Sequence, residues 1–467
     1  MPLQLYNTRT RASEVFQPLH DAQVGLYTCG PTVYSSPHLG NYRSYVFADT
    51  LKRVLRFNGL AVTHVVNITD VGHLNARGED KFERSAAGEG HTVWDIAEKY
   101  TAEFKNALEA LNIIPPDRWM KATDHVPDQI ALIERLVAKG VTYETEQALY
   151  FDVATFPTYT ALAGQALDEK TVAAREDVVA DSAKRNAADF ALWFKRVGKF
   201  KDHAMHWPSP WGEGFPGWHI ECSAMSMKAL GEQFDLHTGG IDHIPVHHTN
   251  EIAQSEAATG KAPFVNVWMH GEFLVLPSGR MGKSEGNALT IATLAEHGLD
   301  PLAYRFFLLQ AHYRQPLTFS WDALEAAAKG YRNLCLRMGL LRGKPKIGCA
   351  EFEREFRDAV NDDLNTAKAL AVLQRLLKST YPDEAKLESA RTFDAVLGLK
   401  LDRVAPVEVP DALLKTVRAH IEAREALRAK RQFAKADGLR NQINADLAPA
   451  GFVLEDTENG PVIAPKR

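Results

Sequence analysis

Thr28-Cys29-Gly30-Pro31-Thr32-Val33-Tyr34-Ser35-Ser36-Pro37-His38-Leu39-Gly40-Asn41 is the stretch on which the fold turns. Before it lies a short alternating apolar run, Val24 to Tyr27, the pattern of a buried strand. After it, Tyr45, Val46, Ala48, Leu51, Val54 and Leu55 recur at helical spacing between Tyr42 and Gly59. Strand, Gly/Pro turn and helix make half of a nucleotide-binding βαβ unit. Its turn offers backbone N–H groups and the positive end of a helix to a phosphate. A thiol and an imidazole, Cys29 and His38, sit inside that turn.

Outward from this unit, Ala61 to Ile68 is β-branched and predicts a second parallel strand, and the polar, Gly-rich Gly72 to Gly90 predicts a mobile loop. Helical periodicity runs from Val93 to Leu111, closed by Pro115-Pro116, and from Pro127 to Lys139, closed by Gly140. Tyr150 to Asp189 is short-stranded and mixed, the mark of a module inserted into a nucleotide-binding domain. From Trp218 the α/β alternation resumes, with a helix to Leu230, a strand at Phe234 to His237, a helix from His247 and a strand near Phe264 to Trp268. Beyond Ser320 the pattern is helical: Trp321 to Leu341, Glu351 to Ser379 and Ala412 to Ala445, with linkers at Gly343 to Gly348 and Asp402 to Pro410.

The bulk properties set limits. A chain of 467 residues holds two to four domains. A formal charge of −5 and a pI near 6.4 exclude a general nucleic-acid binder and leave only local basic surface. Four scattered cysteines, Cys29, Cys222, Cys335 and Cys349, make no disulfide framework, which points to a reducing compartment. The start of the chain lacks signal-peptide architecture and no apolar run spans a membrane, so the expected place is the cytoplasm.

Three constellations carry chemistry. Trp218-His219-Ile220-Glu221-Cys222 sets a thiol near a helix start, and His247-His248-Thr249-Asn250-Glu251 sets an imidazole and a carboxylate four apart on one face. With Cys29 they have the ligand types of zinc; equally, the thiols could be small buried hydrophobes and the histidines a cap. Arg280-Met281-Gly282-Lys283-Ser284-Glu285-Gly286-Asn287 is either a solvated loop or one that closes over a triphosphate, with Lys283 neutralising a departing pyrophosphate. Asp235-Leu236-His237-Thr238-Gly239-Gly240-Ile241-Asp242 ends a strand in a glycine pair and an acid, where ribose and adenine sit in an open α/β sheet. In the tail, Arg418, Arg424, Arg428, Lys430, Arg431, Lys435 and Arg440 make a locally basic helix, fit either for solvent or for a phosphate backbone.

In this order the pieces resemble a class I aminoacyl-tRNA synthetase, and specifically the cysteinyl-tRNA synthetase family. His38-Leu39-Gly40-Asn41 is similar to the HIGH signature and Arg280-Met281-Gly282-Lys283-Ser284 to the KMSKS signature. Tyr27 to Tyr34, Asn67-Ile68-Thr69-Asp70, Pro216 to Met225, His247 to Ser255, Trp268-Met269-His270 and His312-Tyr313-Arg314 look like that family's own signatures. The resemblance implies a Rossmann-type parallel-sheet catalytic domain with an inserted connective module, followed by an all-α helical bundle and a small anticodon-binding domain. It implies one Zn2+ per chain held by Cys29, Cys222, His247 and Glu251, and an amino-acid pocket shaped by Thr69 and Trp218. His38, Asn41, Arg280 and Lys283 would be catalytic, and Gly40, Gly239, Gly240, Asp242, Lys283 and Ser284 would hold ATP, with Mg2+. L-cysteine would be activated to its adenylate and passed to tRNA-Cys by a monomer.

The expected spans are 1–115 and 201–262 for the halves of the catalytic domain, 116–200 for the insertion, 263–342 for the signature-loop and stem-contact region, 343–408 for the bundle and 409–467 for the anticodon domain. Arg280 and Gly282 depart from the signature's Lys and Ser, Gly72 to Gly78 is inserted beside the pocket, and the usual C-terminal Trp is missing. Two other readings remain: a cysteine ligase of mycothiol synthesis with an amino-sugar acceptor, and a non-catalytic RNA-binding paralogue.

Overall fold

The computed structural model describes residues 1–75, 78–164, 181–277, 279–280, 288–406, 411–457 and 460–465. The chain forms two units: Pro2–His297 with Tyr313–Phe319, and Gly298–His312 with Ser320–Arg467 and Met1.

The first unit is built on five parallel strands, β1 (Gln23–Thr28), β2 (Ala61–Ile68), β3 (Arg118–Lys121), β4 (Phe234–Gly240) and β5 (Val265–Gly271), in the order β5-β4-β1-β2-β3. Strands buried on both faces read as nearly continuous apolar runs, which is why Val62, Val65, Val66 and Ile68 all lie in the interior. Helix α1 (Leu39–Phe57) crosses from β1 to β2, its apolar face carrying Tyr42, Val46, Leu51, Val54 and Leu55 onto the sheet. Because β1 has β2 on one side and β4 on the other, the strand order reverses there. The carboxyl ends of β1 and β4 lie together at that reversal: Cys29 N donates to the Thr238 carbonyl at 3.1 Å, and the Thr28 and Thr238 hydroxyls meet at 2.7 Å. This is the crevice in which open α/β sheets bind ligands.

The segment Gly72 to Gly90, expected as a loop throughout, contains helix α2 (Lys81–Glu89). Asp80 caps it, accepting from Phe82 N at 2.6 Å and Glu83 N at 3.1 Å, and Gly90 closes it at φ 71°. Only Phe82 and Ala86 are buried, so the helix rests on its cap and shows little periodicity.

Between β3 and β4 stands the inserted module, a helix (Val126–Ala138) beside an antiparallel sheet of Thr142–Glu144, Ala148–Phe151, Phe190–Lys195 and Gly214–Pro216. Arg118–Lys121 belongs to the central sheet and Gly214–Pro216 to the inserted one, so the module sits later in the chain than 116–200. The module then leads into α3 (Trp218–Leu230), and β4 is followed by α4 (Thr249–Thr259).

In the second unit, the long run from Glu351 is two helices, Ala350–Asn361 and Thr366–Lys378. Asp363 and Leu364 break it at φ 49° and 59°, and Asn365 restarts it by accepting from Lys368 N at 3.1 Å. Helix Asp383–Leu397 follows; then Asp411–Ala429, Phe433–Leu447 and the hairpin Phe452–Thr457/Gly460–Pro465 pack through Val417, Ile443, Leu447, Phe452 and Leu454. Among the described residues, no helix is long and apolar enough to cross a membrane.

Candidate active site and metal centre

Four elements converge at the reversal point. Cys29 leaves the end of β1, Cys222 lies one turn into α3, His247 stands in the π-turn Ile244–His248, and Glu251 is in the first turn of α4. The helix expected to open at His247 begins at Thr249. The wider turn still brings His247 Nε2 to 3.0 Å from Glu251 Oε1. The ligand atoms of Cys29, Cys222, His247 and Glu251 all lie within 4.8 Å of one another and all four residues are buried.

A second group within 4.8 Å shares Cys29 and Glu251 but takes His237 and His248 instead. The hydrogen bonds separate the two. His237 Nε2 is 3.0 Å from Glu251 Oε2, the oxygen facing away from His247, and so orients the carboxylate from outside. His248 Nδ1 meets His270 Nε2 at 2.7 Å, and His270 Nδ1 meets the Thr8 hydroxyl at 2.8 Å, while His248 Nε2 lies 3.3 Å from the Cys29 thiol. His247 has its Nδ1 taken by His219 at 2.9 Å, which leaves Nε2 facing the thiols and Glu251. The first set, with two sulfurs, is the better cage for a soft or borderline cation.

Electrostatics follow from burial of so many acids. Burial works against charge on His247, yet Glu251 and Cys222 hold its pKa at about 10. Burial would raise Glu251, and His237 and His247 override it to hold the carboxylate at about 2. A hydrogen bond with Cys29 brings Cys222 down to about 6 despite burial, and burial pushes Cys29 up. The shifts of His247, Glu251 and Cys222 share one contribution: imidazole, carboxylate and thiol stand close together away from water, and each stabilises the opposite charge on its neighbour.

Thr69 and Trp218, the residues expected to shape the amino-acid pocket, lie beside this cluster. The Trp218 ring stacks on His247 with centroids 4.3 Å apart, and Thr69 Oγ1 donates to Glu221 Oε2 at 3.1 Å, next to Cys222. Asn67 Nδ2 reaches Thr69 Oγ1 at 3.1 Å, and Asn67 Oδ1 accepts from Gly30 N at 2.6 Å, so one side chain pins both edges of the crevice. His38 is the N-cap of α1, with Gly40 in the first turn and Asn41 Oδ1 accepting from His38 N at 3.0 Å. Gly239 and Gly240 end β4 and Asp242 follows in a short turn. A Cβ on Gly239 would lie 2.6 Å from the imidazoles of His243 and His248, so the strand approaches the histidine turn only as glycine.

Lys283 and Ser284 fall outside the described residues. Their flanks are within them: the Arg280 backbone pairs with Val275, and the Leu289 carbonyl accepts from Leu39 N at 2.7 Å, returning the chain to the start of α1. Sequence reasoning gave no role to Asn67, His219, Glu221, His237, His248 or His270. All six lie in quoted motifs, but only strand order shows that those motifs meet.

The profile described as the tRNA synthetases class I (C) catalytic domain matches residues 15–329, and the DALR domain matches 355–401. The cysteine–tRNA ligase of Novosphingobium aromaticivorans is 45% identical over 471 residues, covering 95% of this chain and 94% of the relative. Cysteine–tRNA ligase 1 of Burkholderia lata is 46% identical, covering 98% and 96%, and the cysteine–tRNA ligase of Thermus thermophilus is 41% identical, covering 99% of each. Among solved structures, Mycobacterium tuberculosis methionyl-tRNA synthetase bound by methionyl-adenylate superposes with a TM-score of 0.57 at 18% identity, over 83% of this chain and 95% of that one, a likeness of fold.

Proposed function

Because the chain belongs to the cysteine–tRNA ligase family of class I aminoacyl-tRNA synthetases, we propose how its own residues divide the work of that activity. The reaction ligates cysteine to tRNA in two steps. The cysteine carboxylate attacks the α-phosphorus of ATP and pyrophosphate leaves. A hydroxyl of the terminal adenosine of tRNA-Cys then takes the aminoacyl group from the adenylate and AMP leaves.

Cys29, Cys222, His247 and Glu251 are the residues that would hold zinc. They fit it: two thiols, an imidazole and a carboxylate are a tetrahedral zinc set. In addition, Glu251 Oε1 lies 3.0 Å from His247 Nε2, and the two sulfurs stand within 4.8 Å of both, so the four donor atoms already face one small space. When bound, zinc favours the ionised form of a substrate thiol over any hydroxyl, which supplies discrimination against serine. Thr69 and Trp218 wall the pocket. His38, held by Asn41, and Lys283 with Arg280 stabilise the phosphates as charge moves to the pyrophosphate, and Gly40, Gly239, Gly240, Asp242 and Ser284 seat ATP with its Mg2+. The basic helices after Pro410 follow the tRNA backbone. The protein works as a cytoplasmic monomer; the free thiols of Cys29 and Cys222 support a reducing compartment.

The observation that carries the zinc assignment is the convergence of four ligand atoms from four separate elements within 4.8 Å. The test is charging of tRNA-Cys with cysteine and serine in parallel, with zinc measured in the same sample. Charging with cysteine alone, at about one zinc per chain and with both lost in Cys222→Ser, is the expected result. Cysteine charging in a zinc-free protein would overturn the metal assignment.

A further inference from the structure

The loop that follows the second strand is fastened to the inserted module at three points, and one of its residues reaches Trp218. Asp80 Oδ2 lies 2.9 Å from His203 Nε2 in the interior, and the His203 ring stacks on Phe215 at 3.9 Å with its Nδ1 2.8 Å from the Met205 carbonyl. Leu74 packs into the apolar cluster of Phe200 and Phe215. Gly72 lies against the pair so closely that a Cβ there would be 2.5 Å from His203 Cε1 and 2.6 Å from Asp80 Oδ2.

Held between Gly72 and Leu74, His73 is buried, and its carbonyl accepts from Lys81 N at 2.9 Å. Its ring stands perpendicular to the Trp218 indole, with centroids 5.1 Å apart and an interplanar angle of 89°. The same indole stacks on His247 on the way to the metal ligands. The indole also tilts against His219 at 5.2 Å and meets His243 edge-to-face at 6.1 Å and 81°. His73, 5.1 Å away, is the nearer of its two edge-to-face partners and so the stronger brace on its plane, because aromatic pairs prefer edge-to-face or offset contact.

We propose that His73 is a positioning residue for the amino-acid pocket: it fixes the plane of Trp218 over His247, and the Asp80–His203 pair fixes His73. The inserted module thereby sets how closely the pocket fits the cysteine side chain, although no residue of the antiparallel sheet need touch the substrate. This rests on Trp218 being a wall of that pocket.

The test is cysteine-dependent pyrophosphate exchange by the full-length protein, in His73→Leu, which keeps buried volume and removes the ring, His73→Phe, which keeps a ring, and Trp218→Ala. His73→Leu is expected to raise the KM for cysteine about threefold to tenfold, the range an aromatic pair contributes. The KM for ATP, kcat and zinc content should stay within about twofold, and His73→Phe should restore the cysteine KM. An unchanged cysteine KM in His73→Leu alongside a raised one in Trp218→Ala overturns the inference alone; an unchanged KM in Trp218→Ala removes the pocket reading and the inference with it. An equal rise in the KM for ATP, or a failure of His73→Phe to restore, would mark His73 as merely structural. Should His73→Leu fail to fold, His73→Phe decides: a wild-type cysteine KM supports the proposal and a raised one overturns it.

Discussion

Glu251 commits its two oxygens in opposite directions, one toward His237 and one toward His247. An outer partner of this kind sets ligand orientation, and its loss costs roughly 10–100-fold in metal affinity. His237→Ala is therefore expected to weaken zinc retention by about that factor while leaving all four ligands in place, as read by competition with a chelator. His64 is the opposite kind of histidine. Burial, helped by Lys52, holds its pKa down at about 3, and its Nε2 lies 3.0 Å from the Thr28 hydroxyl. It is neutral when folded and free to take a proton when unfolded. Its contribution is thus full above the ordinary value near 6.5 and is lost as pH falls from there toward 3. At pH 5 the loss amounts to about 2 kcal/mol. His64→Gln should lack that part of the slope; urea titrations of both proteins at pH 7 and pH 5 give the difference.

Among the elements, β4 and the histidine turn approach each other through Gly239, and Gly239→Ala drives a methyl group onto two imidazoles. A cost of about 1–3 kcal/mol is expected, with reduced zinc content, measured by thermal unfolding and metal analysis together. The strands were legible because a sheet covered on both faces needs unbroken β-branched runs: Ala61 to Ile68 is found at the expected residues. Helix α2 was hidden because a cap and two buried apolar residues hold it, and neither makes a periodic pattern. The break at Asp363 and Leu364 carries no glycine or proline; the only sign was Asn365 ahead of Thr366 and Ala367, a capping residue before a helical run. At the site, the four proposed ligands were readable from residue type and the family resemblance. The histidines behind them were not, because their role depends on which strand lies beside which.

At the scale of the whole molecule, the proposed metal ligands lie in the first unit and the proposed tRNA-binding helices in the second, so damage to the second should spare adenylate formation. Arg424 is buried in the second unit and makes two bonds of 2.8 Å to Asp456, which Arg428 and Arg440 also flank. Asp456→Asn removes the carboxylate that bonds that guanidinium twice and leaves it only Glu425, 2.9 Å away, as counter-charge. Asp456 itself is a third exposed, so the expected cost is about 1–3 kcal/mol, below that of a wholly buried pair. Limited proteolysis should then cut first between Asp411 and Pro465, with tRNA charging reduced and pyrophosphate exchange kept. The wide spacing of the four ligands bears also on how the protein is made. Cys29 leaves the ribosome early and Glu251 only after nearly all of the first unit, so a growing chain cannot close the cage until its central sheet is almost complete. On the proposed ligand set, metal loading follows synthesis of most of the first unit: stalled chains ending before His247 should carry none, and chains long enough to free α4 from the exit tunnel should carry their full complement.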